Sequence, residues 1–451
     1  TAAYSALSPG GHFLIHYDLV GAGAVDGQDA DGNQRPDYVD VVGQTLEHVW
    51  AVEVEQLGFR APPEDGELGG GPEYDVYLTD LASGRAYGFT YPEARGKTTH
   101  SYILLDNNYT DAGVYVQTSG LDALRVTAAH EFNHALQFGY YQGSDGIWWQ
   151  EATATWMEEV VYPEVDDYLQ YLSSFLRSPE KSLDSGSSFA SDYRIYGASL
   201  FAHFLQQRYA AVAIRQVWEE YGRAGNASLS HLEQVIGRYD SGGLASAVAQ
   251  FAVWNYFTGP RHRAGYYAEG DKYPTVLLRD VWVDFSQPKV AFEQVSSVDH
   301  LGSTYLRLQP RLNPGGVRLQ VAPEGTGQWR QQLLLAAADS VAVQSLEGGL
   351  RYVTGWDRYH EVVLILTQVA PTGTGFGCST KVTYDPDLVD GLPPVAMRLG
   401  PAFPNPFRPR VHDLVQWAYD LDVASQATRL SIFDASGRLV RSLDLGPRPG
   451  R

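Results

Sequence analysis

The sequence predicts an α+β protein, mostly helical in its middle, with a small sheet before the helices and β modules after them. Three observations lead there. Apolar residues alternate in short runs before residue 80, recur at helical spacing from about Leu121 to Phe257, and alternate again after Val281. At 451 residues the chain exceeds one ordinary core, so several modules are expected. We place them at 1–280, 281–390, a proline-rich linker at 391–410 and a last module at 411–451.

Phe13 to Tyr17 and Tyr74 to Leu78 read as strands of the first sheet. Between them, Val41, Val42, Leu46, Val49, Trp50 and Val54 give the stretch from Tyr38 to Leu57 one apolar helical face. Just before it, Asp29, Asp31, Asn33, Asp37 and Asp40 set oxygen side chains at positions 1, 3, 5, 9 and 12 of a loop, with the Arg35 carbonyl at position 7. That is the spacing of an EF-hand-like calcium loop, departing from it in Gln34 for the usual glycine and in the short Asp40.

Helical periodicity then marks 121–138, 150–161, 166–177, 197–209, 212–222, 229–237 and 243–257, separated by Gly, Ser and Asp clusters. Strands at Gly316 to Val321, Gln332 to Leu335 and Glu361 to Leu366 suggest a β-sandwich over 281–390. Gly400 to Pro409 holds too many prolines for a helix or central strand and reads as a rigid linker. Strands at Val415 to Tyr419, Arg429 to Phe433 and Arg438 to Leu443, with a turn at 435–437, begin a module that ends at Arg451 before a sandwich could close.

Fifty-three acidic against 33 basic residues give a formal net charge of -20. Such a field repels phosphate backbones and anionic lipid, so nucleic acid and membrane surfaces are poor partners and cations are natural ligands. No apolar run reaches the roughly 18 residues a membrane span needs. Cys378 is the sole cysteine, which excludes an intramolecular disulfide. The chain starts at Thr1 with no leader, as a processed or trimmed product would.

Chemistry concentrates in His130-Glu131-Phe132-Asn133-His134. On a helix the two histidines project from one face a turn apart, so one zinc ion can bridge them, and Leu124, Ala128, Phe132 and Leu136 form a separate row that packs inward. A catalytic zinc wants a third protein ligand and an open position for water. Gln137 and Tyr140 stand where a third histidine-type extension needs Gly and His, so the ligand is sought elsewhere. Glu151, in the first turn of the next helix, is the first candidate; Glu158, Glu159 and Asp192 are alternatives. With zinc in place, Glu131 would accept a proton from the metal's water, and the hydroxide would attack a polarised carbonyl.

The blocks HEFNHALQF and WWQEATATWMEE resemble the gluzincin-type peptidases, in which a glutamate at the position of Glu151 is the third zinc ligand. Upstream, HFLIHYD, DADGNQRPDYVD and YDVYL look like a group of secreted metalloproteases known from myxobacteria and related bacteria; the resemblance covers roughly residues 10 to 280. It implies a zincin-type catalytic domain, protein or peptide substrates, and a phenol as oxyanion donor, with Tyr196 first and Tyr193 second. Two departures stand out: the spacer from His134 to Glu151 is slightly shorter than in thermolysin-like enzymes, and Thr155 sits where those carry an aspartate behind the ligands.

The PAFPNPFRP segment and the run from Ile432 to Arg441 resemble C-terminal Ig-like modules of type IX secretion cargo. That implies export, a secreted or cell-surface location, and contact with the secretion machinery. Two other functions compete with an endopeptidase. A catalytically silent adhesion protein on a peptidase fold would have no use for Glu131, and an aminopeptidase of this type would resemble its relatives in a Gly-x-Met-x-Asn motif, in which neither Met157 nor Met397 sits.

Overall fold

The computed structural model describes residues 2–186, 193–310, 314–388, 397–399, 419–421, 425–433 and 439–448. The linker expected at 391–410, Asp192, the strand start at 415–418 and the turn at 435–437 fall wholly or largely outside them. The chain forms two units: residues 1–277 with 298–304 and 367–375, and residues 278–297, 305–366 and 376–451.

In the first unit, β1 (Tyr4–Leu7), β2 (Phe13–Tyr17), β3 (Tyr74–Thr79), β4 (Gly88–Pro92) and β5 (Ser101–Asp106) form one sheet in the order β1-β2-β3-β5-β4. β3 runs parallel to β2 and β5, while β4 is antiparallel and lies on the edge. Alternation marked β2 and β3 only. β4 is short and ends in proline, which an edge strand tolerates because one side of its ladder is unpaired.

Between β2 and β3, α1 (Asp37–Trp50) ends earlier than its apolar face suggests. Ala51–Gln56 instead winds as a π-helix, with Leu57 N–H donating to Val52 O at 2.9 Å. One extra residue per turn shifts the facing, and Val52 and Glu53 are buried as a result.

The helical part follows as α2 (Gly120–Tyr140), α3 (Ile147–Val161), α4 (Leu169–Leu176), α5 (Arg194–Gly197), α6 (Ser199–Tyr209), α7 (Val212–Ala224), α8 (Leu229–Ile236) and α9 (Gly243–Tyr256). Each expected helix appears with shifted ends. The one expected from 166 starts at Leu169, because Asp166 adopts a left-handed φ of 60° that no helix interior allows. Leu124, Ala128, Phe132 and Leu136 are all fully buried. Phe132 packs edge-on against Phe13 at 5.3 Å and Tyr74 at 5.9 Å, which fixes α2 on the sheet; truncation to Ala would cost about 3–5 kcal/mol.

The later strands are β6 (Arg279–Val281), β7 (Ala291–Val298), β8 (Ser303–Leu308), β9 (Gly316–Pro323), β10 (Trp329–Ala337), β11 (Val341–Ser345), β12 (Leu350–Val353), β13 (Tyr359–Gln368) and β14 (Phe376–Asp385). They form two sheets, ordered β11-β10-β13-β8-β6 and β12-β9-β14-β7. Alternate residues of both supply one core: Leu333, Leu335, Val362, Leu364 and Leu366 from the first, Val317, Leu319, Val321, Val382 and Cys378 from the second. Burial of Cys378 pushes its thiol up to about 12. Beyond these, β15 (Met397–Leu399) pairs with β16 (Tyr419–Leu421), and β17 (Ser425–Phe433) with β18 (Leu439–Arg448), both antiparallel. Among the described residues, no helix is long and apolar enough to cross a membrane.

Candidate metal centre

Between Ala123 and Gln137, α2 is buried at every position except Arg125, His130 and His134. The two histidines therefore mark where this otherwise enclosed helix opens. His130 Nε2 and His134 Nε2 lie 3.1 Å apart, and Glu151 Oε2, from the second turn of α3, lies 3.3 Å from the former and 3.5 Å from the latter. A tetrahedral zinc ion with bonds of about 2.0–2.1 Å sets its ligand atoms roughly 3.3 Å apart, so these three donors fit one such ion. Two imidazoles and one carboxylate favour zinc over calcium or magnesium.

Both rings are held from behind. His130 Nδ1 is 2.7 Å from Glu158 Oε1, and His134 Nδ1 is 2.9 Å from Gln137 Oε1. An acceptor at Nδ1 keeps the proton there and turns the Nε2 lone pair toward the shared point. Glu158, weighed from sequence as a third ligand, thus sits behind His130 instead. It lies seven residues after Glu151, two helical turns along the same face, and that spacing was the available signal. Thr155, where the resemblance places an aspartate, is fully buried, and its hydroxyl has no hydrogen-bond partner among the described residues.

Charge is balanced locally. Burial alone would raise the Glu151 carboxyl, but the two imidazoles outweigh it and hold it well below the usual carboxylate range. Burial likewise opposes charging of the histidines, yet hydrogen bonding and attraction from Glu151, joined at His130 by Glu158, raise both. Burial pushes Glu158 up to about 7.

Glu131 is held by the edge strand β4. Thr90 Oγ1, on edge strand β4, lies 2.7 Å from both Glu131 Oε2 and its main-chain oxygen. Gly88, on the same strand, approaches so closely that a Cβ there would meet Thr127 Cγ2 at 2.6 Å and Glu131 Cγ at 2.7 Å.

Tyr196 lies in the short helix α5, its ring centroid 6.1 Å from that of His130, whereas Tyr193 is 51% exposed. Burial raises the Tyr196 phenol above its ordinary value, so it keeps its proton. The turn is anchored by Arg194, whose buried guanidinium donates to the carbonyls of Phe175, Ser178, Lys181 and Ser182 and to Ser185 Oγ. Sequence reading missed this anchor.

A second group of carboxylates, Glu159, Asp166 and Glu269, converges elsewhere in the first unit. Lys272 Nζ already occupies its neighbourhood, 2.6 Å from Glu269 and 2.9 Å from Asp166. Glu159 is pushed up to about 9 by burial and by Glu269.

The 29–40 loop is folded on itself. Asp29 accepts from the N–H groups of Gly32, Asn33 and Gln34, Asp31 from that of Asn33, and Asp37 from that of Ala30. Asp40 is held by Asn33 Nδ2 at 2.7 Å and Arg35 Nε at 2.6 Å, and Asn33 Oδ1 accepts from Arg35 N–H. Gln34 takes a φ of 67°, the left-handed turn that glycine usually provides in such a loop. These carboxylates do not converge into a group of the kind seen at His130, His134 and Glu151 among the described residues.

No protein-family model matches the chain, and no curated protein gives a significant match. Among solved structures, periplasmic inhibitors of g-type lysozyme from Aeromonas hydrophila and Salmonella Typhimurium align at 13% and 14% identity. They cover 24% and 25% of this chain and 97% and 100% of their own, with TM-scores of 0.19 and 0.18, a likeness too slight to inform fold or function.

Proposed function

We propose that this chain is a zinc-dependent endopeptidase of the gluzincin type that acts outside the cell. The observation that carries the reading is the mutual spacing of His130 Nε2, His134 Nε2 and Glu151 Oε2, which suits one tetrahedral ion. A zinc ion bound there would supply a Lewis acid and acidify a water at its remaining position.

The chain's own residues would do the rest. Glu131, adjacent to His130 and steadied by Thr90, takes the proton from the attacking water and passes it to the departing amine. Tyr196, protonated and close to His130, donates to the oxygen on which charge develops. β4 is an edge strand beside this helix, so an extended peptide can add to it through main-chain hydrogen bonds; that favours protein or peptide substrates. The same reading takes the first unit as a zincin arrangement and the two later sheets, with their shared core, as a β-sandwich. Calcium in the 29–40 loop and export through the C-terminal module belong to it as well.

The test is Glu131→Gln, which removes the base and leaves the three donors untouched. Hydrolysis of a peptide library should fall by about 10²–10⁴, while zinc content and Tm stay parental. Purified protein that neither carries nor takes up zinc sinks the reading, as does a Glu131→Gln variant that hydrolyses like the parent. Zinc bound without hydrolysis of any peptide by the parent points to a silent surface protein instead.

A further inference from the structure

Behind the metal centre lies a chain of buried amides that ends in a carboxyl group with no part in the chemistry above. Glu53 is 0% exposed, placed inward by the π-helical turn after α1. Its Oε2 accepts from Asn133 Nδ2 at 2.9 Å, and its Oε1 has no partner among the described residues. Asn133 Oδ1 accepts from Gln137 Nε2 at 2.7 Å, and Gln137 Oε1 faces His134 Nδ1 at 2.9 Å.

Each link dictates the next. An amide has a donor end and an acceptor end, and turning it over exchanges them. Glu53 faces Asn133 with an acceptor, so Asn133 turns its nitrogen to Glu53 and its oxygen to Gln137. Gln137 then turns its nitrogen to Asn133 and its oxygen to His134. An oxygen at His134 Nδ1 selects the ring tautomer protonated there, with the Nε2 lone pair free. Gln150 O at 3.0 Å and Thr153 Oγ1 at 3.1 Å hold the Gln137 nitrogen in the same sense. We propose that Glu53 is a positioning residue for the metal centre, acting through Asn133 and Gln137 to set the tautomer and orientation of His134. The inference rests on the zinc reading above.

Burial pushes the Glu53 carboxyl well above its ordinary range. Glutamine, which keeps a carbonyl oxygen at the same reach toward Asn133, is its close mimic. Removing an orienting partner behind a zinc ligand typically weakens binding by about 10–100-fold; because Gln150 and Thr153 also hold Gln137, we expect the lower end.

The experiment compares parent, Glu53→Gln and Glu53→Met. Zinc affinity is read by competition with a chelator, and the His134 tautomer by ¹⁵N NMR of the zinc-free proteins above the histidine titration. Glu53→Gln should bind zinc within about threefold of the parent and keep the Nδ1-protonated ring, whereas Glu53→Met should bind about tenfold more weakly and show a mixed tautomer. A methionine variant with parental affinity and parental ring signals overturns the proposal. So does a parent ring protonated at Nε2, a result that needs no variant to fold. A parent that binds no zinc at all defeats the zinc reading instead, and the ring signals still report on the relay.

Discussion

Glu158 and Gln137 hold the two histidine rings from behind, and although both fall inside the blocks that carry the resemblance, the sequence alone does not mark them as partners of a histidine. The two histidines of HExxH were legible as a pair because helical spacing alone puts them on one face, whereas Glu151, on the next helix, was placed by the resemblance. Groups behind the ligands were not legible, because any polar residue of suitable length at a facing position serves. If Glu158 orients His130 rather than binding metal, Glu158→Ala should keep a zinc site weakened by about 10–100-fold, and Glu158→Gln, which still offers an acceptor, should recover much of the loss. Chelator competition measures both. His203 makes a separate prediction. Fully enclosed, with its ring 4.6 Å from that of Tyr168, it is lowered by burial from 6.5 to about 4. A lowered folded value means that the unfolded chain takes up the proton first. The stability is present above pH 6.5 and is lost as pH falls toward 4, by up to about 3 kcal/mol. Urea melts at pH 7 and pH 4.5 should show a smaller acid loss in His203→Gln than in the parent.

At the level of elements, β4 and α2 touch with no space for a side chain at Gly88. Gly88→Ala must move the strand or both Thr127 and Glu131, which a Cβ would meet at 2.6 and 2.7 Å. A shift near 1 Å in a catalytic group can cost about 10² in rate, so hydrolysis should fall by that order while zinc content is unchanged. The longer helices of the first unit were readable from apolar period, whereas α5, with four residues, is too short to show one. β1 and β4, short and at the margins of the sheet, were not readable, and neither was the internal β5, whose run from Tyr102 to Leu105 is apolar throughout and does not alternate. The π-helical end of α1 was also hidden: its apolar spacing continues the helix, and only packing against Asn133 distinguishes the wider turn. The 29–40 loop was legible as a turn, down to the left-handed position that Gln34 fills without glycine. Calcium should raise Tm if its oxygens release their present backbone partners to a cation, and the rise should vanish in a double Asp29→Ala, Asp31→Ala variant. A calcium shift that survives the double change places the ion elsewhere.

Taken as a whole, the chain divides near where its hydrophobic period changes from helical to alternating, although short segments at 298–304 and 367–375 join the first unit. Sequence could not foresee those returns, because residues within one strand read alike whichever core they serve. The second unit carries a consequence of its own in Cys378. A thiolate is the reactive form of cysteine, and this one is enclosed at 0% exposure with its titration pushed up to about 12. A thiol reagent can reach it only when the surrounding strands open. Since the chain holds no other sulfhydryl group, the rate at which a colorimetric reagent modifies the native protein counts those openings directly, and makes the second unit a clock for its own unfolding.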